Sequence, residues 1–195
     1  MRMIVTGLAV AVVGAGSAAA QERPFTGAYA GAEAGVMDHH VWLTETGPGG
    51  AVLSDRYYRD KDLAGGVFAG YDMAVGRQFR IGGEMAITAG GGNPEARFRD
   101  GTNFQETPRY GYRLTVRAGF VPVRSVMVYA SGGYGGNRYR LSGTANVADA
   151  HEWGSSFIVG GGAEFRASDR IGVRLDFKHV DNQSNQWMLG IPIRF

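Results

Sequence analysis

From residue 25 onward, apolar and polar side chains alternate with a period of two, in eight segments separated by turn-like stretches. The segments are 25–36, 63–75, 79–89, 110–121, 126–141, 153–165, 170–179 and 186–195. In the third, Phe79, Ile81, Met85 and Ile87 alternate with Arg80, Gly82, Glu84 and Thr88. In the last, Trp187, Leu189, Ile191, Ile193 and Phe195 alternate with Gln186, Gly190 and Arg194. Successive side chains of a strand point to opposite faces, so each segment predicts a strand with one apolar and one polar face. Phe25 breaks the parity of its segment, where Tyr29, Gly31, Glu33 and Gly35 share one face, and is expected outside the ladder.

Two closed architectures fit this pattern. A soluble lipocalin-like barrel turns its apolar face inward, whereas a membrane barrel turns it outward to lipid. The connections separate them. Residues 37–62, 90–109 and 142–152 form long polar stretches, while 76–78, 122–125 and 166–169 are tight. Short turns at one end and long loops at the other are the signature of an outer-membrane barrel. Phe79, Phe120, Phe165 and Phe195 fall near the short turns or the chain end, and Tyr110, Tyr112, Tyr139, Trp153 and Trp187 at the opposite ends. They make two aromatic girdles. The expected fold is all-β, an eight-stranded antiparallel transmembrane up-and-down barrel over residues 21–195.

The first 20 residues read differently. Arg2 precedes an apolar run at residues 4–13, and Ala18-Ala19-Ala20 resembles an A-x-A cleavage site before Gln21. This predicts an export signal cut after Ala20. A membrane-anchoring helix is the alternative, but the run is short and no basic stop-transfer cluster follows. After residue 20 no apolar run is long enough for a spanning helix, so a mature chain that crosses a membrane does so as strands. Localisation in the outer membrane of a Gram-negative cell follows. The chain has no Cys, which excludes disulfides and thiolate metal sites. Its net charge is +2 and falls to +1 once Arg2 leaves with the signal, so no strong field points to nucleic acid. Glycine is abundant, at 32 of 195 residues, and close packing inside a narrow barrel would account for it.

Candidate chemistry lies mainly on the polar face, which carries Glu33, Asp72, Glu84, Glu164 and Asp176 against Arg80, Arg113, Arg117, Arg174 and Lys178. Eight strands leave room only for side chains, and isolated charges there are costly. A salt-bridged polar plug explains five acids against five bases better than an ion pathway or a catalytic carboxylate pair. Strand depth predicts that Glu84 and Arg117 meet. Gly132-Gly133-Tyr134-Gly135-Gly136 and Gly160-Gly161-Gly162 resemble phosphate loops only in composition, because no helix pattern follows either. His39, His40 and His151 fall in expected external loops without metal-site spacing, and neither metal nor cofactor is implied. Arg97, Arg99, Arg109, Arg138 and Arg140 lie in or beside those loops. They either hold lipopolysaccharide phosphates or are simply solvated.

On these residues the chain resembles the small outer-membrane barrels of OmpA/OmpX and opacity-protein type. The most specific stretch is Trp187-Met-Leu-Gly-Ile-Pro-Ile-Arg-Phe195, which resembles the C-terminal signal read by the outer-membrane assembly machinery. Trp187, Leu189, Ile191, Ile193 and Phe195 would carry that signal. Gly27-Ala-Tyr29-Ala-Gly31-Ala-Glu33 resembles the family's first strand. The resemblance implies a structural, adhesive or host-interaction protein without catalysis, monomeric and embedded in outer-membrane lipid and lipopolysaccharide. One departure is Pro192, which removes a ladder donor and should leave an irregular seam.

The rival reading is a barrel hydrolase resembling lipid A deacylases, which carry a His-x-Ser pair near the chain end. Here His179 is followed two residues on by Asp181 rather than Ser, and Ser184 should face away from His179. Parity places His179 with Phe177 on the lipid side, near the outer rim. A third reading, a diffusion pore, would pass only small ions.

Overall fold

The computed structural model describes residues 23–46, 49–50, 52–91, 95–97, 103–143, 150–180 and 184–195; the expected signal segment lies outside them. The strands are β1 (Gly27–Thr46), β2 (Val52–Val75), β3 (Phe79–Gly90), β4 (Glu95–Arg97), β5 (Asn103–Val123), β6 (Val126–Gly143), β7 (Ala150–Arg166), β8 (Gly172–Val180) and β9 (Ser184–Arg194). β1 pairs with both β2 and β9, and β3 with both β2 and β5, so eight antiparallel strands close on themselves. β4 is a short extra strand on β5, above the end of β3. Closure removes the free sheet edges that would otherwise invite pairing with other chains.

Burial shows which face is which. Ile87, Leu114, Val116 and Leu189 are more than half exposed, whereas Arg80 and Arg174 are only 1% exposed. The apolar face is therefore the outer one, which excludes the soluble alternative. Phe79, Phe120, Phe165 and Phe195 ring the short-turn end on this face, with Phe79 and Phe120 in ring contact at 5.4 Å. Tyr110 and Trp187 stand exposed toward the other end. The side chains of Tyr139 and Trp153 lie outside the description.

The expected long loops are largely strand, a correction to the sequence reading. Residues 37–46 and 52–62 continue β1 and β2, whose pairing runs unbroken to Glu45↔Ser54 and then shifts register at Thr46↔Val52. Residues 90–109 contain β4 and the first residues of β5; of 142–152, residues 142–143 belong to β6 and 150–152 to β7, and 144–149 lie outside the described residues. The tight turns at the other end agree with the pattern at 76–78 and narrow to 124–125 between β5 and β6.

Two details of the short-turn end matter below. Phe25 lies before the ladder, as its parity predicts, and turns inward at φ 59° against Val121, Met127 and Tyr129. It closes the mouth of the barrel from inside. Pro192 pairs in register with Gly31 on β1, but the β8–β9 ladder stops at Arg174↔Gly190 and resumes only at the single bridge Ile171↔Ile193. The missing Pro N–H thus leaves its irregularity on the β8 side.

Candidate functional sites inside the barrel and above its rim

The inward charges form one connected network. Near the long-hairpin end, Lys178 pairs with Asp176, which lies 3.5 Å from Arg174. Arg174 donates to Glu33 at 2.9 Å and to Glu84 at 3.2 Å, reaching across the barrel from β8 to β1 and β3. Glu33 also binds Arg113, which donates to Gln186 at 2.6 Å. Toward the short turns, Arg117 donates to Asp72 at 2.8 Å, and Asp72 and Glu164 share Arg194 at 3.1 and 2.9 Å. Aromatic faces line the stack: Arg174 lies 3.6 Å over Phe68 and Arg117 4.4 Å over Tyr29, whose hydroxyl donates to Glu84.

The expected Glu84–Arg117 contact exists at 3.7 Å but is secondary. Each group has a nearer partner, Arg174 for Glu84 and Asp72 for Arg117. Arg194, which the pattern put on the inward face without assigning it to the network, proves central to it. Arg80 stands apart and donates to the carbonyls of Pro24, Phe79 and Arg77. Burying these ions is costly, and dense mutual pairing offsets that cost. This is the chemistry of a filled polar core.

At the rim the structure departs further from the sequence reading. His39 lies in β1 rather than a loop, 1% exposed and facing inward. Its Nδ1 is 2.5 Å from Ser184 Oγ, the residue opposite it on β9. Burial pushes the His39 imidazole down to about 4. His179 is half-buried on the outer side beside Asn185, at 2.8 Å, so it and Ser184 do not meet. Continuing the parity upward from Gly35 and Gln186 would have put His39 and Ser184 on one face; the loop assignment hid it.

On the outer side, Arg59 donates to Asp38 at 2.7 Å and holds its carboxyl below the usual range. Arg138 donates to the Tyr110 hydroxyl at 2.8 Å, and Arg109 is exposed. Arg99 and the side chains of Arg97, Arg140 and His151 fall outside the described residues. Trp187, Leu189, Ile191, Ile193 and Phe195, the residues expected to carry the assembly signal, all face outward and are exposed.

Above His39 the wall becomes uneven. β1 runs on to Thr46 while β9 begins at Ser184, opposite His39, and β2 runs past Ala64 where β3 has ended. Residues 40–46 of β1 and 52–63 of β2 therefore rise as a two-stranded ribbon. Across the barrel, β5, β6 and β7 rise beyond the ends of β3 and β8 as a second ribbon.

The chain resembles several solved barrels in fold. It aligns with Ail, the attachment invasion locus protein of Yersinia pestis, at 15% identity over 87% of this chain and 99% of that one, with a TM-score of 0.49. Neisserial surface protein A aligns at 13% over 87% and 98%, with a TM-score of 0.50. The N-terminal β-barrel domain of Pseudomonas aeruginosa OprF aligns at 12% over 86% and 97%, with a TM-score of 0.43. No curated protein matches the sequence. The family model described as outer membrane protein beta-barrel domain matches residues 7–191. The apolar exterior, the salt-bridged interior and that match agree, and the chain belongs to the outer membrane protein beta-barrel domain family.

Proposed function

We propose that this barrel is a non-catalytic surface-interaction protein of a Gram-negative outer membrane. Its signal is cut after Ala20, it is inserted through the assembly machinery, and partners dock on its ribbons as it stands monomeric in lipid and lipopolysaccharide. One observation carries the reading: among the described residues, no strand pairs with 41–46 on the side where β9 has ended. The two edges of that ribbon differ in sequence. Residues 55–62 include Asp55, Arg56, Arg59, Asp60, Lys61 and Asp62, whereas Val41-Trp42-Leu43-Thr44 holds neither an acid, a Lys or Arg, nor a proline. Charged edges discourage strand addition, and a bare edge invites an extended peptide to add main-chain hydrogen bonds.

The test compares cells bearing the intact barrel with cells whose residues 40–63 are replaced by a short turn, challenged with lipopolysaccharide and host-matrix proteins. Lost binding with an intact, heat-modifiable barrel is the expected result. Undiminished binding would refute the ribbon as the docking element.

The Ser184–His39 contact favours a second reading, a hydrolase, because a neutral imidazole next to a hydroxyl is the minimal activated nucleophile. Covalent labelling of Ser184 by a fluorophosphonate that His39→Gln abolishes would support it. Absence of labelling leaves the pair as a structural link between β1 and β9.

A further inference from the structure

The short-turn end, which faces the periplasm, carries charge that the interior network does not use. The chain enters there through residues 23–26, with Phe25 turned into the mouth and only 2% exposed. Beside this plug lies a cavity of about 590 Å³. Its walls carry four guanidinium groups, Arg23, Arg166, Arg170 and Arg194, two side-chain carboxylates, Asp72 and Asp169, and the chain-end carboxylate of Phe195.

Both side-chain carboxylates are already engaged. Asp169 holds Arg166 at 2.9 Å, and Asp72 holds Arg194 at 3.1 Å and Arg117 at 2.8 Å. Among the described residues no carboxylate pairs with Arg23 or Arg170. Arg80 stands directly behind the wall, its Nε donating 2.8 Å to the carbonyl of Pro24, which lines the cavity. It is 1% exposed, and its Nη2 has no hydrogen-bond partner among the described residues. A buried guanidinium whose hydrogen bonds go only to carbonyls has no carboxylate in direct contact to offset the cost of its burial. Arg23 and Arg170 on the wall and Arg80 behind it thus have no side-chain carboxylate within ion-pair distance among the described residues.

We propose that this cup binds a phosphate group, held by Arg23 and Arg170 with the charge of Arg80 behind it. The planar fork of a guanidinium matches phosphate oxygens two at a time. Two exposed arginines facing one cavity suit a group that carries more than one negative oxygen. Phe195 lines the cavity and is also exposed on the lipid-facing side, so the cup borders the level of the inner aromatic girdle. The phosphate can thus arrive on an inner-leaflet lipid headgroup or free from the periplasm.

The experiment uses the mature barrel in dodecyl maltoside, which contains no phosphate. Calorimetric titrations with inorganic phosphate and with dihexanoylphosphatidylglycerol are run on wild type, on Arg23→Gln/Arg170→Gln, and on Arg59→Gln at the opposite end. Heat-modifiable migration checks that each variant is folded. Saturable binding is expected, weakened about tenfold or more by the double substitution and changed less than about twofold by Arg59→Gln. Tighter binding of the lipid than of inorganic phosphate assigns the site to headgroups; equal affinity assigns it to free phosphate. No saturation with either probe, or a double variant that binds as well as wild type, would overturn the proposal. So would an equal loss in Arg59→Gln, which would reduce the effect to overall charge.

Discussion

The same strands build two regions under different constraints. In the wall below Trp187 each long strand has a neighbour on both sides, outward residues meet hydrocarbon, and inward ones must fit a crowded polar core. In the ribbon above it, β2 meets water on both faces at Asp60 and Lys61, and among the described residues no third strand pairs with β1 beyond residue 40 or with β2 before Ala64. The wall therefore fixes residue type almost position by position, while the ribbons fix little beyond strand propensity. This is the division of labour between scaffold and binding element. It also predicts where substitutions will hurt.

The largest effect belongs to the wall. Arg174 has no exposed side-chain surface and contacts Glu33, Glu84 and Asp176. Arg174→Leu strands those carboxylates and should cost about 3–5 kcal/mol in urea unfolding. Adding Glu84→Gln should cost less than the sum of the two single losses. The Glu84–Arg117 cycle should show weaker coupling, because that contact is 3.7 Å long. Strictly additive losses for Glu84 and Arg174 would break the picture of a coupled core. Next comes the plug, where Phe25→Ala empties an apolar cluster and should cost about 3 kcal/mol. A matching increase in conductance across planar bilayers would show that the plug also seals. Excising residues 40–63 should by contrast cost the barrel less than about 1 kcal/mol, since a lone two-stranded ribbon is marginally stable.

The same division decides what the sequence reveals. Ile81 and Arg80, or Leu189 and Gly190, alternate because one neighbour sees lipid and the next sees the core, so eight strands and their faces were legible. Pro192 announced its own irregular seam. The ribbon was not legible as strands, because water on both faces, at neighbours such as Asp60 and Lys61, erases the period of two. Partners across the barrel were hidden too. Glu84 and Arg117 sit on adjacent strands, so depth suggested their contact, but Arg174 reaches Glu84 from a strand 90 residues away. Likewise His39 and Ser184 are 145 residues apart and become neighbours only through the β1–β9 register.

At the boundary between the two regions the comparison predicts a pH dependence. Burial lowers the His39 imidazole from 6.5 to about 4. Between those values the unfolded chain binds a proton that the folded chain refuses. The stabilisation is therefore complete above about pH 6.5 and lost as pH falls toward 4. Wild type should lose on the order of 2 kcal/mol across this window relative to His39→Gln, read from urea midpoints at pH 7 and pH 4.5. Parallel curves for the two proteins would mean that His39 is hydrated, and would place the boundary below β1 residue 39.

The smallest effect tests whether the outer wall answers to anything besides lipid. Inward glycines are forced by their neighbours: a Cβ on Gly35 would lie 1.8 Å from the Trp187 carbonyl oxygen. Gly83 is different. It is exposed on the outer face, and the nearest atom to an added Cβ is Thr115 O, at 3.9 Å. Nothing in the fold demands glycine there, and glycine in a strand costs backbone entropy. Gly83→Ala should therefore stabilise the barrel by about 0.5 kcal/mol, a small shift opposite in sign to all the others. The urea midpoint in a detergent of fixed acyl length is the measurement. A loss instead of a gain would mean that something packs closely against this wall. Gly83 and Gly132 flank Val116 in the floor of an apolar trough of about 930 Å³ walled by Tyr71, Met85, Tyr134 and Phe157, so the close approach would be to that trough.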